Sequence, residues 1–318
     1  MRVVFMGTPE FAVASLDSII KHDYNVVGVI TSPDKASGRG QKIHESAVKL
    51  YAKEKELNIL QPPNLKDPGF HVELAALGAD VQVVVAFRML PEVIWRMPPK
   101  GTVNLHASLL PDYRGAAPIN WAVINGDTET GLTTFFIEKE IDTGKVILQE
   151  KVQIPDDWSA GQLHDDMMRK GGALLVRTLE VIETGSFESI DQKKLLANIP
   201  DPRSAPKIYK DNCKIDWKGS SQNICNHVRG LNPYPTAWSE LVSSAGEVHS
   251  VKVFRCSRSS TPHNLPYGAI NSVDNIQLSV ACGEGVVNIE ELQLAGKKRM
   301  LAADFLRGFN LNDDWKFH

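Results

Sequence analysis

Short apolar runs alternate with helix-like segments through the first hundred residues, and this order limits the folds open to the chain. Arg2 to Met6 and Asn25 to Thr31 are rich in β-branched residues, whereas Phe11 to His22 repeats apolar residues at helical spacing. The order of strand-like and helix-like segments continues to Val103 to His106, where apolar and polar residues alternate as in a strand. Strand, helix and strand in this order favour parallel pairing. The pattern predicts an α/β domain with a Rossmann-like, doubly wound, mostly parallel sheet.

The near-continuous apolar run from Val81 to Val85 is typical of a parallel strand covered on both faces. In such sheets ligands bind beyond the carboxyl ends of the strands. Three loops fall at predicted strand ends and are expected to surround one crevice: Thr31 to Gln41, Phe87 to Leu90 and His106 to Gly115. The first turn lacks Gly-x-Gly-x-x-Gly, which argues against a dinucleotide cofactor.

The stretch from Gly101 to Gly126 combines a strand, a polar loop and a helix. Asn104 and His106 lie two residues apart in the strand, so their side chains share one face. Two prolines and a glycine in the loop from Leu109 to Pro118 stop regular structure. An amide donor and an imidazole at a strand exit can stabilise an oxyanion and move a proton. Two such residues are more often satisfied by their neighbours, so the spacing leaves both interpretations open.

The surrounding residues, NLHASLLPDYRGAAPI, resemble the signature of the folate-dependent formyltransferases: Asn-x-His, then Ser-Leu-Leu-Pro, then a glycine-containing turn before Pro-Ile. The resemblance implies that Asn104 and His106 are catalytic. It also implies that Asp142, in an Asp-Thr-Gly turn between two predicted strands, faces the histidine. The implied formyl donor is 10-formyltetrahydrofolate, bound in part by the residues that follow the histidine: Ser108, Leu109, Leu110 and Pro111.

A second segment at a strand end resembles the family region that contacts the pterin ring of folate. This similarity adds four residues to the implied folate site: Phe87, Arg88, Met89 and Leu90. The sequence of this segment differs from the commoner family form, which has a Tyr-Gly pair and one extra residue before Leu-Pro. It is more similar to the corresponding segment of a related purine-pathway transformylase. Taken alone, the segment fits a plain strand-to-helix connection equally well.

A flexible basic loop from Pro33 to Lys42 contains Gly-Arg-Gly. It resembles the insertion with which tRNA-specific members of the family enter the end of the acceptor stem. The resemblance implies Arg39 as the key contact, with Lys35 and Lys42 as phosphate contacts that position the tRNA without reading bases. Cations with no buried partner more often mark a solvated surface. This loop is the feature that separates a tRNA acceptor from a small-molecule acceptor.

The C-terminal third has a different pattern. Ser186 to Pro206 is poor in periodic apolar residues and rich in proline, which predicts a linker 186–206 between domains 1–185 and 207–318. The β-like runs beyond it predict a smaller OB-like β-barrel, a fold that often binds nucleic acid. These runs are Trp238 to Val242, Val248 to Arg255, Gly268 to Ser272, Asn275 to Ala281 and Gly285 to Leu294.

Basic residues in this domain suggest a tRNA-facing groove. The candidates are Lys252, Arg255, Arg258, Lys297, Lys298 and Arg299. The stretch Gly-Lys-Lys-Arg-Met is similar to the Gly-Lys-Lys-x-Met of the family. A charge run is more commonly just solvated.

The composition of the chain limits the class of protein further. A chain of 318 residues with 42% hydrophobic residues suits two globular domains, and its net charge of −3 argues against a surface built for non-specific nucleic-acid binding. The four cysteines form no Cys-x-x-Cys, which predicts free thiols in a reducing compartment and no metal site. No segment approaches the roughly eighteen apolar residues of a membrane span. A cytoplasmic monomer is expected.

Together, the resemblance implies an enzyme that moves the formyl group of 10-formyltetrahydrofolate to the α-amino group of methionyl initiator tRNA. A formyl-folate enzyme that acts on glycinamide ribotide, or that releases formate, would leave the basic loop and the barrel without a role. A non-catalytic RNA-binding protein would not need Asn104, His106 and Asp142 together.

Overall fold

The computed structural model describes residues 1–37, 42–197, 201–273, 277–309, 311 and 315–318. The chain forms two compact units that are interleaved along the sequence. The first comprises Met1–Gly115, Glu129–Gln153 and His164–Ser204, and the second comprises Ala116–Thr128, Ile154–Leu163 and Ala205–His318. The domain boundaries near 185 and 206 stay a prediction, because compactness alone does not identify which part folds independently.

The strands and helices of the predicted alternation are found in the first 204 residues, together with additional short strands. The strands are Arg2–Gly7 (β1), Asn25–Ile30 (β2), Lys35–Ser37 (β3), Lys42–His44 (β4), Ile59–Leu60 (β5), Val81–Val85 (β6), Thr102–His106 (β7), Arg114–Gly115 (β8), Glu129–Phe136 (β9) and Val146–Gln153 (β10). The helices are Glu10–Lys21 (α1), Ala47–Glu54 (α2), Pro68–Ala76 (α3), Glu92–Trp95 (α4), Pro118–Ile124 (α5), Ala160–Thr184 (α6) and Gln192–Leu196 (α7).

The main sheet of the first unit has the strand order β10-β9-β7-β6-β1-β2-β5. β1 pairs in parallel with β2 and β6, β6 pairs in parallel with β7, and β9 is antiparallel to both its neighbours. The predicted doubly wound, mostly parallel α/β fold is confirmed. The order reverses at β1 and β6, which is where such sheets bind ligands. The loops after β6 and β7 therefore lie side by side at one edge.

β6 explains why this sheet holds together. All five of its residues are buried, as its near-continuous apolar sequence predicts. Its polar residue, Gln82, accepts a hydrogen bond from Thr102 Oγ1 at 3.1 Å, which gives its buried carbonyl oxygen a partner. The surrounding core includes Val4, Met6, Ile30, Phe70, Leu74 and Ile94. Burying one such side chain stabilises the fold by about 1.5–3 kcal/mol.

The basic loop differs from its sequence-based expectation. Its two ends pair as a short antiparallel hairpin of β3 and β4, with Lys35 opposite His44, where a flexible loop was expected. Glycines at 38 and 40 separate the two strands in the sequence, a common signal for a hairpin connection. Residues 38–41, which include Arg39, lie outside the described residues.

The elements after residue 203 follow the predicted change to β structure. They are Ser204–Ala205 (β11), Ala237–Ser243 (β12), Val248–Ser259 (β13), Ile270–Val273 (β14), Leu278–Ala281 (β15), Val286–Leu294 (β16), Met300–Leu301 (β17), Trp315–Phe317 (β18), and the helices Ser221–Leu231 (α8) and Ala302–Gly308 (α9). Each of the predicted barrel strands is found, although Asn275 and Ile276 lie outside the described residues. The sequence prediction missed β11, β17 and β18, which are only two or three residues long.

The sheet of the second unit runs β14-β15-β16-β13-β12-β18, and β17 pairs with β16. A bridge between Ala269 and Lys316 brings its two ends together. The result is a nearly closed antiparallel barrel, as predicted. Trp217 and Phe317 pack inside it with ring centroids 5.5 Å apart.

Helix α5 belongs by its contacts to this second unit. Asn120 Nδ2 donates to the carbonyl of Gly230 at 2.8 Å. A Cβ atom at Gly230 would lie 2.5 Å from Ile124 Cγ1, so only glycine lets α5 and α8 approach this closely. In the part of the chain that the structure describes, no helix is both long and apolar enough to span a membrane.

Two leucines in helices of the first unit test the core. Leu74 is 1% exposed and Leu50 is 54% exposed. We expect Leu74→Ala to lower the free energy of unfolding by about 2–5 kcal/mol, because it loses burial and leaves a cavity. Leu50→Ala, the matched control, should change it by less than about 1 kcal/mol. Urea denaturation followed by circular dichroism measures both, and equal losses would contradict this account of the core.

Candidate active site

Asn104 and His106 lie on one face of β7, and the carboxylate of Asp142 approaches the same place. The distance between His106 Nδ1 and Asp142 Oδ2 is 3.8 Å, and their side chains are 7% and 13% exposed. The side chain of Asn104 is half-buried and has no hydrogen-bond partner among the described residues. The structure thus brings the three predicted catalytic residues together, with an amide left available for a ligand.

The ring of His106 is oriented by its own loop. Its Nε2 lies 2.9 Å from the carbonyl oxygen of Tyr113. Because a carbonyl can only accept, Nε2 must carry a proton and donate it to Tyr113. Nδ1 is then the nitrogen that faces Asp142 and that remains for chemistry.

The turn that carries Asp142 is tightly constrained. Asp142 has φ +56°, a left-handed conformation that costs a non-glycine residue of order 1–3 kcal/mol. Its Oδ2 accepts a hydrogen bond from the backbone N–H of Gly115 at 2.9 Å. A Cβ atom at Gly144 would lie 1.7 Å from the carbonyl oxygen of Phe136, so the glycine of Asp-Thr-Gly is required by close backbone packing.

The residues after His106 are held by β9 and β10. The hydroxyl of Thr133 donates to the carbonyl of Ser108 at 2.7 Å and accepts from the N–H of Leu110 at 3.1 Å. Gln149 Nε2 donates to the carbonyl of Leu110 at 2.8 Å. Of the predicted folate-binding residues here, Ser108, Leu110 and Pro111 are buried and Leu109 is half-buried. These hydrogen bonds occupy the carbonyls of Ser108 and Leu110 and the N–H of Leu110, so they fix the course of the loop.

An ion pair holds the far side of this loop. Asp112 Oδ2 accepts from Arg203 Nη2 at 2.6 Å, and its Oδ1 accepts from the backbone N–H of Arg203 at 2.6 Å. The guanidinium of Arg203 also lies 4.4 Å from the ring centroid of Tyr113. The loop that orients His106 is thus fixed on both sides.

The segment after β6 mixes buried and exposed side chains. Met89 is 72% exposed, whereas Leu90 is 9% exposed. Arg88 donates through Nη2 to the carbonyl of Pro62 at 2.8 Å, and burial lowers its pKa from the ordinary value. Its Nε is buried without a hydrogen-bond partner among the described residues. The ring of Phe87 lies under the guanidinium of Arg88, with 5.2 Å between Arg88 Cζ and the centroid of the ring.

The predicted tRNA-binding residues that the structure describes are mostly solvent-facing: Lys35, Lys252, Lys297 and Lys298. Lys252 lies opposite Gln293 in the barrel, and Gln293 Nε2 donates to the carbonyl of Lys297, so these lysines share one end of the sheet. Arg299 is also exposed, but its Nε and Nη2 donate to the two carboxylate oxygens of Glu291, each at 2.6 Å. That pairing lowers the pKa of Glu291. Arg39 and the side chain of Lys42 lie outside the described residues.

Gln192 is a site residue that the sequence did not reveal. It begins α7, inside the segment predicted to be a linker, and it is 1% exposed. Its side chain contacts both the Asp142 turn and Arg114. The available local signal was Asp191, whose side chain caps α7 by accepting from the N–H of Lys193. No group of three or more metal-ligating side chains is found in the described ranges.

The Rossmann-like sheet places an amide and an imidazole on β7 and a carboxylate beside them, an arrangement that can stabilise an oxyanion and move a proton, as in group transfer. Residues 1–179 match the formyl transferase family, and residues 207–310 match the formyl transferase C-terminal domain. The chain belongs to the formyl transferase family and is a formyl-transferring enzyme.

Comparison with full-length relatives shows which group within the family the chain resembles. The chain is 51% identical over 318 residues to the methionyl-tRNA formyltransferase of Bacteroides thetaiotaomicron, covering 100% of this chain and 98% of the relative. It is 50% identical over 318 residues to the methionyl-tRNA formyltransferase of Flavobacterium johnsoniae, covering 100% and 99%. Within the family, the chain groups with the methionyl-tRNA formyltransferases.

Solved structures support the fold alone. WlaRD, a sugar 3N-formyl transferase, superposes with a TM-score of 0.64 at 20% identity, covering 94% of this chain and 99% of WlaRD. HypX from Aquifex aeolicus, in complex with tetrahydrofolic acid, gives a TM-score of 0.61 at 16% identity, covering 96% of this chain and 47% of HypX.

Two buried threonines of β9 test how the loop is held. Thr133 makes the loop hydrogen bonds described above, whereas Thr130 Oγ1 is buried with no partner among the described residues. We expect Thr133→Val to lower the free energy of unfolding by about 1–3 kcal/mol, because it leaves loop groups unpaired. Thr130→Val should cause no loss, because the hydroxyl it removes is already unsatisfied. Urea denaturation compares them, and a larger loss at Thr130 would refute the assignment.

Proposed function

We propose that this enzyme transfers the formyl group of 10-formyltetrahydrofolate to the α-amino group of methionyl initiator tRNA. The observation that carries the proposal is the convergence of Asn104, His106 and Asp142, with the histidine 3.8 Å from the carboxylate. The full-length similarity to methionyl-tRNA formyltransferases supports the choice of acceptor.

Each of the three residues has a distinct task in the proposed reaction. When the amine of the acceptor attacks the formyl carbon, the carbonyl oxygen becomes an oxyanion, and the unpartnered amide of Asn104 donates to it. His106 Nδ1 donates to the same oxyanion when the ring carries both protons, since Nε2–H is committed to Tyr113. The carboxylate of Asp142 takes the amine proton, directly or through a water. Collapse then breaks the bond to the folate nitrogen, which leaves with a proton.

The residues at the strand ends fit a folate co-substrate. Arg88 keeps a buried Nε–H without a partner among the described residues, and the loop of Ser108 to Pro111, fixed by hydrogen bonds, directly follows His106. We assign the ring system to Phe87, Arg88, Met89 and Leu90 on one side and to this loop on the other. The bound co-substrate supplies the activated formyl group, and these residues hold it against Asn104.

The tRNA contacts of the proposal come from two places. Arg39, with Lys35 and Lys42, enters the end of the acceptor stem. In the barrel, Lys252, Lys297 and Lys298 contact phosphates, because their charges face solvent. We assign Arg299 to holding Glu291, since its Nε and Nη2 already donate to the carboxylate there.

The direct test is transfer of radiolabelled formyl from 10-formyltetrahydrofolate to methionyl initiator tRNA. We expect label in acid-precipitable tRNA, and none with elongator methionyl-tRNA. Glycinamide ribotide and acceptor-free reactions are the controls. Label only in glycinamide ribotide, or only as free formate, would leave a formyl-folate enzyme but reject the tRNA acceptor.

Alanine substitution tests the three catalytic assignments. We expect Asn104→Ala and His106→Ala each to lower kcat by at least about 10²-fold, the usual cost of losing one oxyanion donor. Asp142→Ala should also lower it by at least about 10²-fold, the usual contribution of a general base. Single-turnover formylation with saturating substrates measures the loss, and circular dichroism checks the fold. Wild-type turnover in any folded variant would remove that residue from the mechanism.

A charge substitution tests the basic loop. We expect Arg39→Ala to lower kcat/KM for methionyl-tRNA by about tenfold or more and to reduce the slope of log affinity against log salt by about one. The matched control is Arg169→Ala on α6, whose side chain is 74% exposed. It should stay within about twofold of wild type. Equal effects of the two changes would reduce Arg39 to a general surface charge.

A further inference from the structure

Gln192 links two loops that meet at the catalytic face. Its Nε2 donates to the carbonyl of Asp142 at 2.9 Å and to that of Gly144 at 2.8 Å. Its Oε1 accepts from Arg114 Nε at 3.1 Å and from Arg114 Nη2 at 2.6 Å. A side-chain amide has two donors and two acceptor sites, so every one is used. A buried amide satisfied this fully is held in one orientation.

The contacts fall on both sides of the pair of residues proposed to move the proton. Arg114 precedes Gly115, whose N–H binds the Asp142 carboxylate at 2.9 Å. Arg114 also follows Tyr113, whose carbonyl orients the His106 ring. Gln192 thus joins the loop that fixes the histidine to the turn that fixes the carboxylate. Two independent connections, one through Gly115 and one through Gln192, set their separation.

The backbone of Asp142 needs such support. Its left-handed φ of +56° persists only where surrounding contacts determine it. The amide of Gln192 binds the carbonyl of Asp142 itself and that of Gly144, the two ends of the Asp-Thr-Gly turn. Without these bonds the turn loses two hydrogen bonds that fix its backbone, although the N–H of Gly115 still binds the carboxylate.

We propose that Gln192 is a positioning residue for formyl transfer: it holds the Asp142 carboxylate at the distance from His106 that proton removal from the acceptor amine requires. The inference rests on the proposed function of Asp142. Gln192 touches neither substrate in this account, so its substitution changes the rate of the chemical step and leaves binding of both substrates intact. A displacement of about 1 Å in such a group can cost about 10²-fold in rate.

Three variants test the proposal. Gln192→Leu keeps approximate size and removes all four hydrogen bonds, and Gln192→Glu keeps the acceptor for Arg114 while removing both donors to the turn. Lys193→Ala, the next residue on α7 and exposed, is the matched control. We expect kcat to fall by about 10²-fold in Gln192→Leu and by at least tenfold in Gln192→Glu. KM for tRNA and folate should stay within about twofold, and Lys193→Ala should match wild type.

A double-mutant cycle separates positioning from general support of the fold. If Gln192 acts through Asp142, Gln192→Leu should cost less than about threefold in single-turnover rate when Asp142→Ala is already present. If the rate losses of Gln192→Leu and Asp142→Ala multiply in the double variant, the proposal is overturned in favour of a structural role. A rise in both KM values with unchanged kcat would overturn it in the same way. Gln192→Glu carries the same test in the event that Gln192→Leu does not fold.

The same assay distinguishes a failure of the positioning role of Gln192 from a failure of the proposed function. Wild-type transfer to methionyl initiator tRNA is measured in the same assay, and its absence is a failure of the proposed function. Wild-type transfer with unchanged kcat in both Gln192 variants overturns the positioning role alone.

Discussion

Parallel pairing of β6 with its neighbours β1 and β7 is the constraint on which the site depends. Because these strands run the same way, the segments that leave them emerge at one edge of the sheet. The pairing is stable because β6 is apolar and wholly buried. Once the ladder is formed, the Asn104 face and the Phe87 to Leu90 segment are neighbours whatever the loops contain. The loops then need only to be made rigid.

Rigidity comes from polar groups that bind backbone carbonyls and amides. Thr133 and Gln149 hold one side of the loop after β7, Arg203 holds the other, and Gln192 ties it to the Asp142 turn. Each of these groups comes from a different element. The chemistry of the site therefore draws on a shell of residues that is larger than the three proposed to act on the substrate, and that shell is what gives irregular backbone a defined shape.

Much of the fold was predictable from the sequence, because buried parallel strands and amphipathic helices have distinct periodicities. Asn104 and His106 could be paired from their two-residue spacing, whereas Asp142 came only from the family resemblance. The roles of all three remain proposals. Gln192 could not be found, since its partners lie 50 and 78 residues away and its neighbours show no apolar period. Strands β17 and β18 were missed because two or three residues carry no readable pattern.

The packing of α5 on α8 has a consequence for synthesis of the chain. Asn120 and Gly230, which join the two helices, are 110 residues apart. At about 5–20 residues per second, a ribosome needs roughly 5–20 s to make the stretch between them. During that interval Ile124, which lies against Gly230 in the folded protein, has been made but α8 has not. The newly made chain therefore exposes this apolar side chain for seconds, which gives a chaperone time to bind it.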